Sequence, residues 1–183
     1  MEGITRAVGE KGYANVTLND IVRYAGMSKR TFYEHFTDKL SCFLAAYSAA
    51  ADMMLARVNE SVADVAPPDR VRAGTRAYLS AMAENPVATR TFHLEILAAG
   101  PEGVRLHYEV NQRFAKLLMR LVREARRERP EIPSLGSAKA TALVGAINEL
   151  VVAAVVENRT RQLPARSELI TGLVRAALST PIN

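Results

Sequence analysis

The sequence predicts an all-α protein, and three observations carry that prediction. Apolar residues recur at i, i+3 and i+4 along most of the chain, as in Ile4, Ala7 and Val8, or Leu106, Val110, Phe114, Leu117, Leu121 and Ala125. No alternating run is long enough for a convincing strand. Caps and breakers divide the chain at lengths that suit helices: Gly12, Gly26, "APPD" at Ala66 to Asp69, Asn85–Pro86, Gly100–Pro101 and Pro164.

The elements follow in order. A first short helix carries Ile4, Ala7, Val8 and Lys11 on one stripe and stops at Gly12. Thr17 caps a second, with Asp20 three positions on as in a capping box, and Ile21, Val22 and Ala25 form its apolar face. Ser28 caps a third, which ends near Phe36. A long helix from about Asp38 to Val62 bears Leu40, Phe43, Leu44 and Tyr47. Further helices are expected over about 69–84, from Pro86 with Asn85 as cap, after Pro101, over about 137–158 and over about 166–178. "RPEIPSLG", Arg129 to Gly136, reads as a loop.

The chain has 183 residues, 49% of them hydrophobic, which suffices for one sizeable core or two smaller ones. The longest apolar run, Leu150 to Val156, is too short to span a bilayer, so no membrane partner is expected. The N-terminus lacks the basic start and apolar stretch of a signal peptide. Cys42 is the single cysteine. A cytoplasmic location is therefore expected. The formal charge is +5, but Arg113 to Arg129 alone holds seven cations and two acids. That segment reads as the solvated face of a long helix, so net charge does not locate a nucleic-acid surface.

The second and third helices, joined by "AGM", have the helix-turn-helix pattern. With the third helix in a major groove, Lys29 and Arg30 at its start can donate to guanine acceptors. Thr31, Tyr33 and His35 can reach phosphates, Thr17 and Lys39 can do the same from neighbouring helix starts, and Ser28 completes the DNA-facing set at the start of the third helix. Phe32 and Phe36 are four apart and belong to the buried face.

"GYANVTLNDIVRYAGMSKRTFYEHFTDK" resembles the N-terminal domain of the tetracycline-repressor (TetR) family of bacterial regulators. The resemblance rests on Gly12, Tyr13, Thr17, Ile21, Ala25, Gly26, Ser28, Phe32–Tyr33, His35–Phe36 and Lys39, with Met27 in place of a usual Val, and covers roughly the first fifty residues. One departure is that the first helix starts almost at Met1, where members usually carry several more residues, often basic. The resemblance implies a helix-turn-helix DNA-binding domain over 1–45 and a helical effector-binding and dimerisation domain over 46–183. It also implies a homodimeric transcriptional regulator, a repressor in the family's usual mode. Such a repressor leaves a palindromic operator when a small ligand binds and the helix from Asp38 moves as a lever.

In the C-terminal part, the helix near Ser137 to Asn158 is apolar nearly all round and must be buried on every side. One side can meet its own core and the other a partner, with Leu169, Ile170, Leu173 and Val174 of the last helix as a second stripe. A dimer through the last two helices is expected. Asn148 and Glu149 interrupt the apolar helix, and a buried polar group needs a partner. With Phe92, His93 and Phe114 they form the candidate ligand site. The wider set is Arg76, Tyr78, Met82, Glu95, Tyr108 and Met119, most of which are ordinarily core or surface. The scarcity of charge in the set favours a largely apolar ligand. His35, His93 and His107 lack metal-ligand spacing, and no phosphate loop, catalytic motif or cofactor fingerprint is present. No enzyme activity, metal or cofactor is expected. The alternative is a helical DNA-binding regulator without a small-molecule effector.

Overall fold

The structure, a computed structural model, describes residues 1–179. They form nine α-helices with short 3-10 turns and no strand, the all-α class expected. Helices α1 (Glu2–Lys11), α2 (Leu18–Ala25), α3 (Lys29–His35) and the start of α4 (Lys39–Val62) make a compact head. The caps fall where the sequence puts them. Thr17 and Asp20 form a full capping box, and the Ser28 hydroxyl accepts the Thr31 N–H at 3.1 Å. Gly26 closes α2 at φ 64°, a left-handed conformation that suits glycine. Gly3 sets the α1–α2 distance: a Cβ there would lie 2.6–2.8 Å from Ala25.

Ile4, Val8, Ile21, Phe32 and Phe43 fill the head, all within 2% of full burial. The same core continues without a gap to Ile96, Ala99 and Val110. The head is thus packed onto the rest of the chain and is not tethered by a linker. Helix α4 runs from one part into the other.

The second part holds α5 (Arg70–Glu84), α6 (Pro86–Leu94), α7 (Pro101–Glu128), α8 (Ser137–Val156) and α9 (Ser167–Ser179). Helix α4 packs on α5 and α7, α7 on α8, and α5 on α9. Two further clusters form its interior, one around Val122, Leu143 and Val174, the other around Leu79, Val151 and Ile170.

Helix α8 differs from expectation in two ways. As a whole it is long and apolar enough, by length and composition, to cross a membrane. The seven-residue run hid this because Ala and Gly extend the apolar stretch on its N-terminal side. Nor is α8 covered on every side. Ala140, Leu143, Val144, Val151 and Val155 are buried, but Ala142, Gly145, Ala146, Ala153 and Val156 are exposed. Small residues there leave a shallow apolar face that nothing among the described residues covers.

Candidate functional site

The exposed side of the head is built on α3. Phe32 is 1% exposed and its ring meets Phe36 at 5.5 Å and Tyr33 edge-on at 5.6 Å. These contacts fix which way the helix faces. Lys29, Arg30, Tyr33, Glu34 and His35 then stand in solvent, and Thr31 is half-buried. Ser28 both caps the helix and shares a 3.0 Å hydrogen bond with the Thr31 hydroxyl. The Arg30 guanidinium is 3.5 Å from Glu34, a loose i, i+4 pair on an open surface.

Two residues expected to face a phosphate are engaged within the head. The Lys39 ammonium donates to the carbonyls of Tyr13 and Val16 at 2.8 and 3.0 Å and lies over the Tyr13 ring. It ties the start of α4 to the α1–α2 loop, with one of its three N–H groups left over. The Thr17 hydroxyl donates to Asp20 at 2.7 Å while capping α2. Hydrogen bonds from Lys11 and from the Thr17 hydroxyl and backbone hold the Asp20 carboxyl far below the usual carboxylate range.

Inside the second part lies a cavity of about 230 Å³. Its walls come from α4 (Tyr47, Ala51, Met54), α5 (Tyr78, Met82), α6 (Thr89, Phe92, His93), α7 (His107, Asn111, Phe114) and Asn148 of α8. Phe92, His93, Phe114 and Asn148 of the candidate set are brought together here, as are Tyr78 and Met82 of the wider one. Glu149 is not. It lies on the exposed face of α8, because one further residue turns the helix by about 100° away from Asn148. Arg76, Glu95, Tyr108 and Met119 also lie outside these walls.

A second cavity of about 70 Å³, bounded by Val58, Gly74, Leu118 and Val144 among others, adjoins the first. Tyr78, Phe114 and Asn148 line both. The Tyr78 and Phe114 rings meet edge-on, 5.4 Å between centres.

Several polar groups of the larger cavity have hydrogen-bond partners. The His93 Nδ1 donates to the Thr89 carbonyl at 2.9 Å, and burial lowers its pKa to about 4, so the ring is neutral at pH 7. The His107 Nδ1 meets the Tyr47 hydroxyl at 3.0 Å. Its Nε2 takes a hydrogen bond from the Asn111 amide at 2.9 Å, and Asn111 in turn accepts from Asn148 at 2.9 Å. Burial also lowers the His107 pKa and raises those of Tyr47 and Tyr78. The one charged wall residue, Arg57, is held by Glu84 through two 2.6 Å bonds.

The sequence missed Tyr47, His107 and Asn111. A signal existed: His107 and Asn111 are polar at i, i+4 on the same stripe as Val110 and Phe114, which the periodicity turns inward. Among the described residues no group of His, Cys, Asp and Glu is arranged to hold a metal ion. Cys42 is buried, and its thiol is pushed up to about 11.

Helix α6 touches both places. Thr89, Phe92 and His93 face the cavity. Between them in the chain, the Thr91 hydroxyl donates to the Thr5 carbonyl at 3.2 Å, and just after them the Glu95 carboxylate accepts the Tyr13 N–H at 2.8 Å. The cavity wall and the clasp on the head are therefore carried by different faces of one short helix and the residue that caps it.

Residues 1–46 match the family described as bacterial regulatory proteins, tetR family. Among curated protein sequences, none matches this chain. Solved structures match over nearly the whole fold. The fatty acid degradation regulator FadR from Bacillus halodurans is similar with a TM-score of 0.85 at 16% identity, covering 98% of this chain and 96% of that one. FadR from Bacillus subtilis, solved in complex with stearoyl-CoA, gives 0.83 at 16% identity with the same coverage. A tetR-family regulatory protein from Rhodococcus RHA1 gives 0.72 at 23% identity, covering 94% and 93%. The N-terminal quarter of this chain thus matches the tetR-family model, and the chain as a whole shares its fold with these solved regulators.

Proposed function

We propose that the protein is a homodimeric, sequence-specific DNA-binding transcriptional regulator. It works as a repressor released from a palindromic operator when a small, largely apolar ligand enters the cavity. The observation that carries this is α6, which forms a wall of that cavity and also grips the head through Glu95 and Thr91.

Lys29 and Arg30 face base edges, and Tyr33 and His35 hold the backbone, all four being exposed on α3. Ser28 and Thr31 set the helix start, and Lys39 offers its remaining N–H to a phosphate. Two copies place two such helices about 34–36 Å apart, or a multiple of that. The division into a reading domain, 1–45, and a sensing and dimerising domain, 46–183, belongs to the same proposal, with α4 shared between them.

The dimer forms through α8 and α9. Supporting this are the uncovered face of α8 and, on α9, exposed Leu169 and Leu173 beside Gly172, which has open space above it. Two helices from each copy make a four-helix interface.

A ligand between α4 and α6 moves both elements that hold the head. DNA and ligand then weaken each other's binding by the same factor. That FadR of Bacillus subtilis was solved with stearoyl-CoA supports an effector with an apolar body.

The test is operator selection from random duplexes with the purified full-length protein, followed by anisotropy titrations. A palindromic site bound by a dimer is expected. Tyr33→Ala should weaken binding to every sequence, whereas Arg30→Ala should change sequence preference by about 1–3 kcal/mol. Selection that yields no site, or a Tyr33→Ala protein that binds like wild type, overturns the proposal.

A further inference from the structure

The amide placement of Asn111 and Asn148 gives the hydrogen bonds around the larger cavity one direction. The Asn148 amide donates to the Asn111 oxygen, and the Asn111 amide donates to the His107 Nε2. That nitrogen is therefore an acceptor, and the neutral ring carries its proton on Nδ1. The Nδ1–H donates to the Tyr47 oxygen, 3.0 Å away. The hydroxyl proton of Tyr47 is left uncommitted on a residue that lines the cavity. A donor without an acceptor in a largely apolar site is a recognition point for an oxygen acceptor.

The rest of the wall excludes charge. His93 and His107 are neutral, and Arg57 is bound on both guanidinium nitrogens by Glu84. Arg57 also stands ten positions, about 15 Å, along α4 from Tyr47, so an ionised group placed at Tyr47 would lose its hydration without gaining a counter-charge. The acceptor is therefore a neutral carbonyl, not a carboxylate.

Volume sets the shape. Ligand pockets run from about 300 to about 1,000 Å³. The larger cavity, about 230 Å³, falls short of that by itself. The adjoining one adds about 70 Å³, and the Tyr78–Phe114 ring pair and Asn148 line both. Together the two reach about 300 Å³, the lower end of that range.

We propose that the site takes an uncharged, elongated apolar ligand bearing one carbonyl oxygen. The carbonyl sits on Tyr47, and the tail passes the Tyr78–Phe114 pair into the second cavity. This rests on the cavity being the effector site of a regulator, and it adds the ligand's chemical class and two residues that select it. Tyr47 reads the carbonyl and Phe114 sets the length.

The test is calorimetric titration of the full-length protein with methyl octanoate, sodium octanoate and methyl butanoate. Methyl octanoate should bind at least about tenfold more tightly than either of the others, the size of one lost hydrogen bond or more. Tyr47→Phe keeps the ring and should lower methyl octanoate affinity about tenfold. Phe114→Ala widens the passage between the two cavities and should move the preference from methyl octanoate to methyl decanoate. Thermal unfolding of the unliganded variants verifies that each is folded. Octanoate binding as tightly as its ester, an unchanged affinity in Tyr47→Phe, or an unchanged length preference in folded Phe114→Ala overturns the proposal. So does failure of all three probes to bind. Operator binding measured beside these titrations separates the two layers. Ester selectivity with no effect on DNA sustains the ligand class and sinks effector control. Release of DNA by octanoate as readily as by its ester does the reverse.

Discussion

The exposed face of the head and the cavity differ in how their residues are assembled. The first draws on one stretch, Ser28 to His35, whose side chains all hang from a helix of two turns. The second draws on five helices, with Tyr47 and Asn148 about a hundred positions apart in the chain. A surface patch on one helix needs only the local period and a buried anchor, here Phe32. A cavity needs the packing of the whole domain, and its walls are whatever the core leaves unfilled. The two should therefore respond differently to the same kind of change.

The sharpest contrast is ring removal. Phe32 is fully buried against Ile4, Val8, Ile21 and Phe43, so Phe32→Ala should cost about 3–5 kcal/mol and unfold the head first. Phe114 already borders two voids, and Phe114→Ala should cost less than the lower end of that range. Urea unfolding of the two variants measures the difference. Equal losses would mean that the cavity is as tightly filled as the head.

Acid should separate the two parts next. The folded His93 has a pKa near 4, below its ordinary ~6.5. Its contribution is thus whole above about pH 6.5 and is lost as pH falls towards 4. Asp20 is also depressed, from an ordinary ~3.9, so the head keeps its contribution until pH drops below about 4. Near-ultraviolet dichroism during acid titration should show the cavity loosening first. His93→Asn should shrink the earlier step, leaving the part due to His107, and Asp20→Asn should flatten the later one. A single step in wild type near pH 4 would break the contrast.

The contact between the parts comes third. Glu95→Ala leaves the Tyr13 N–H without its acceptor, at a cost of about 1–2 kcal/mol. Glu95→Gln keeps an acceptor and should cost less. If α6 transmits ligand binding, Glu95→Ala should bind ligand normally yet release DNA less completely, read by anisotropy with and without ligand. Full release in that variant would leave α4 as the sole lever.

The same contrast explains what could be read in advance. Element order, the caps at Thr17, Ser28 and Asn85, and the outward face of α3 follow from local spacing and capping chemistry. The roles of Lys39 and Glu149 did not. The Lys39 ammonium is used by carbonyls at Tyr13 and Val16, a contact some twenty-five positions back in the chain. Glu149 turns outward on a helix whose neighbours on both sides look apolar in sequence. Tyr47 read as one more apolar residue of α4, because its hydrogen bond to His107 lies across the domain.

The smallest effect expected concerns Arg30 and Glu34. Their 3.5 Å pair is open to solvent, the side chains 92% and 55% exposed, and such pairs contribute about 0–1 kcal/mol. Glu34→Gln should therefore leave thermal stability nearly unchanged. It also frees Arg30 and removes a negative charge that faces DNA phosphates in the proposed complex. Affinity should rise for all sequences, and the rise should be larger in low salt, where such charges are least screened. Arg30→Ala in the Glu34→Gln background then isolates the base contact. If sequence preference changes as much there as in wild type, Glu34 tunes affinity alone. If it changes more, Glu34 competes with the operator for Arg30, and the weak surface pair acts as a brake on recognition.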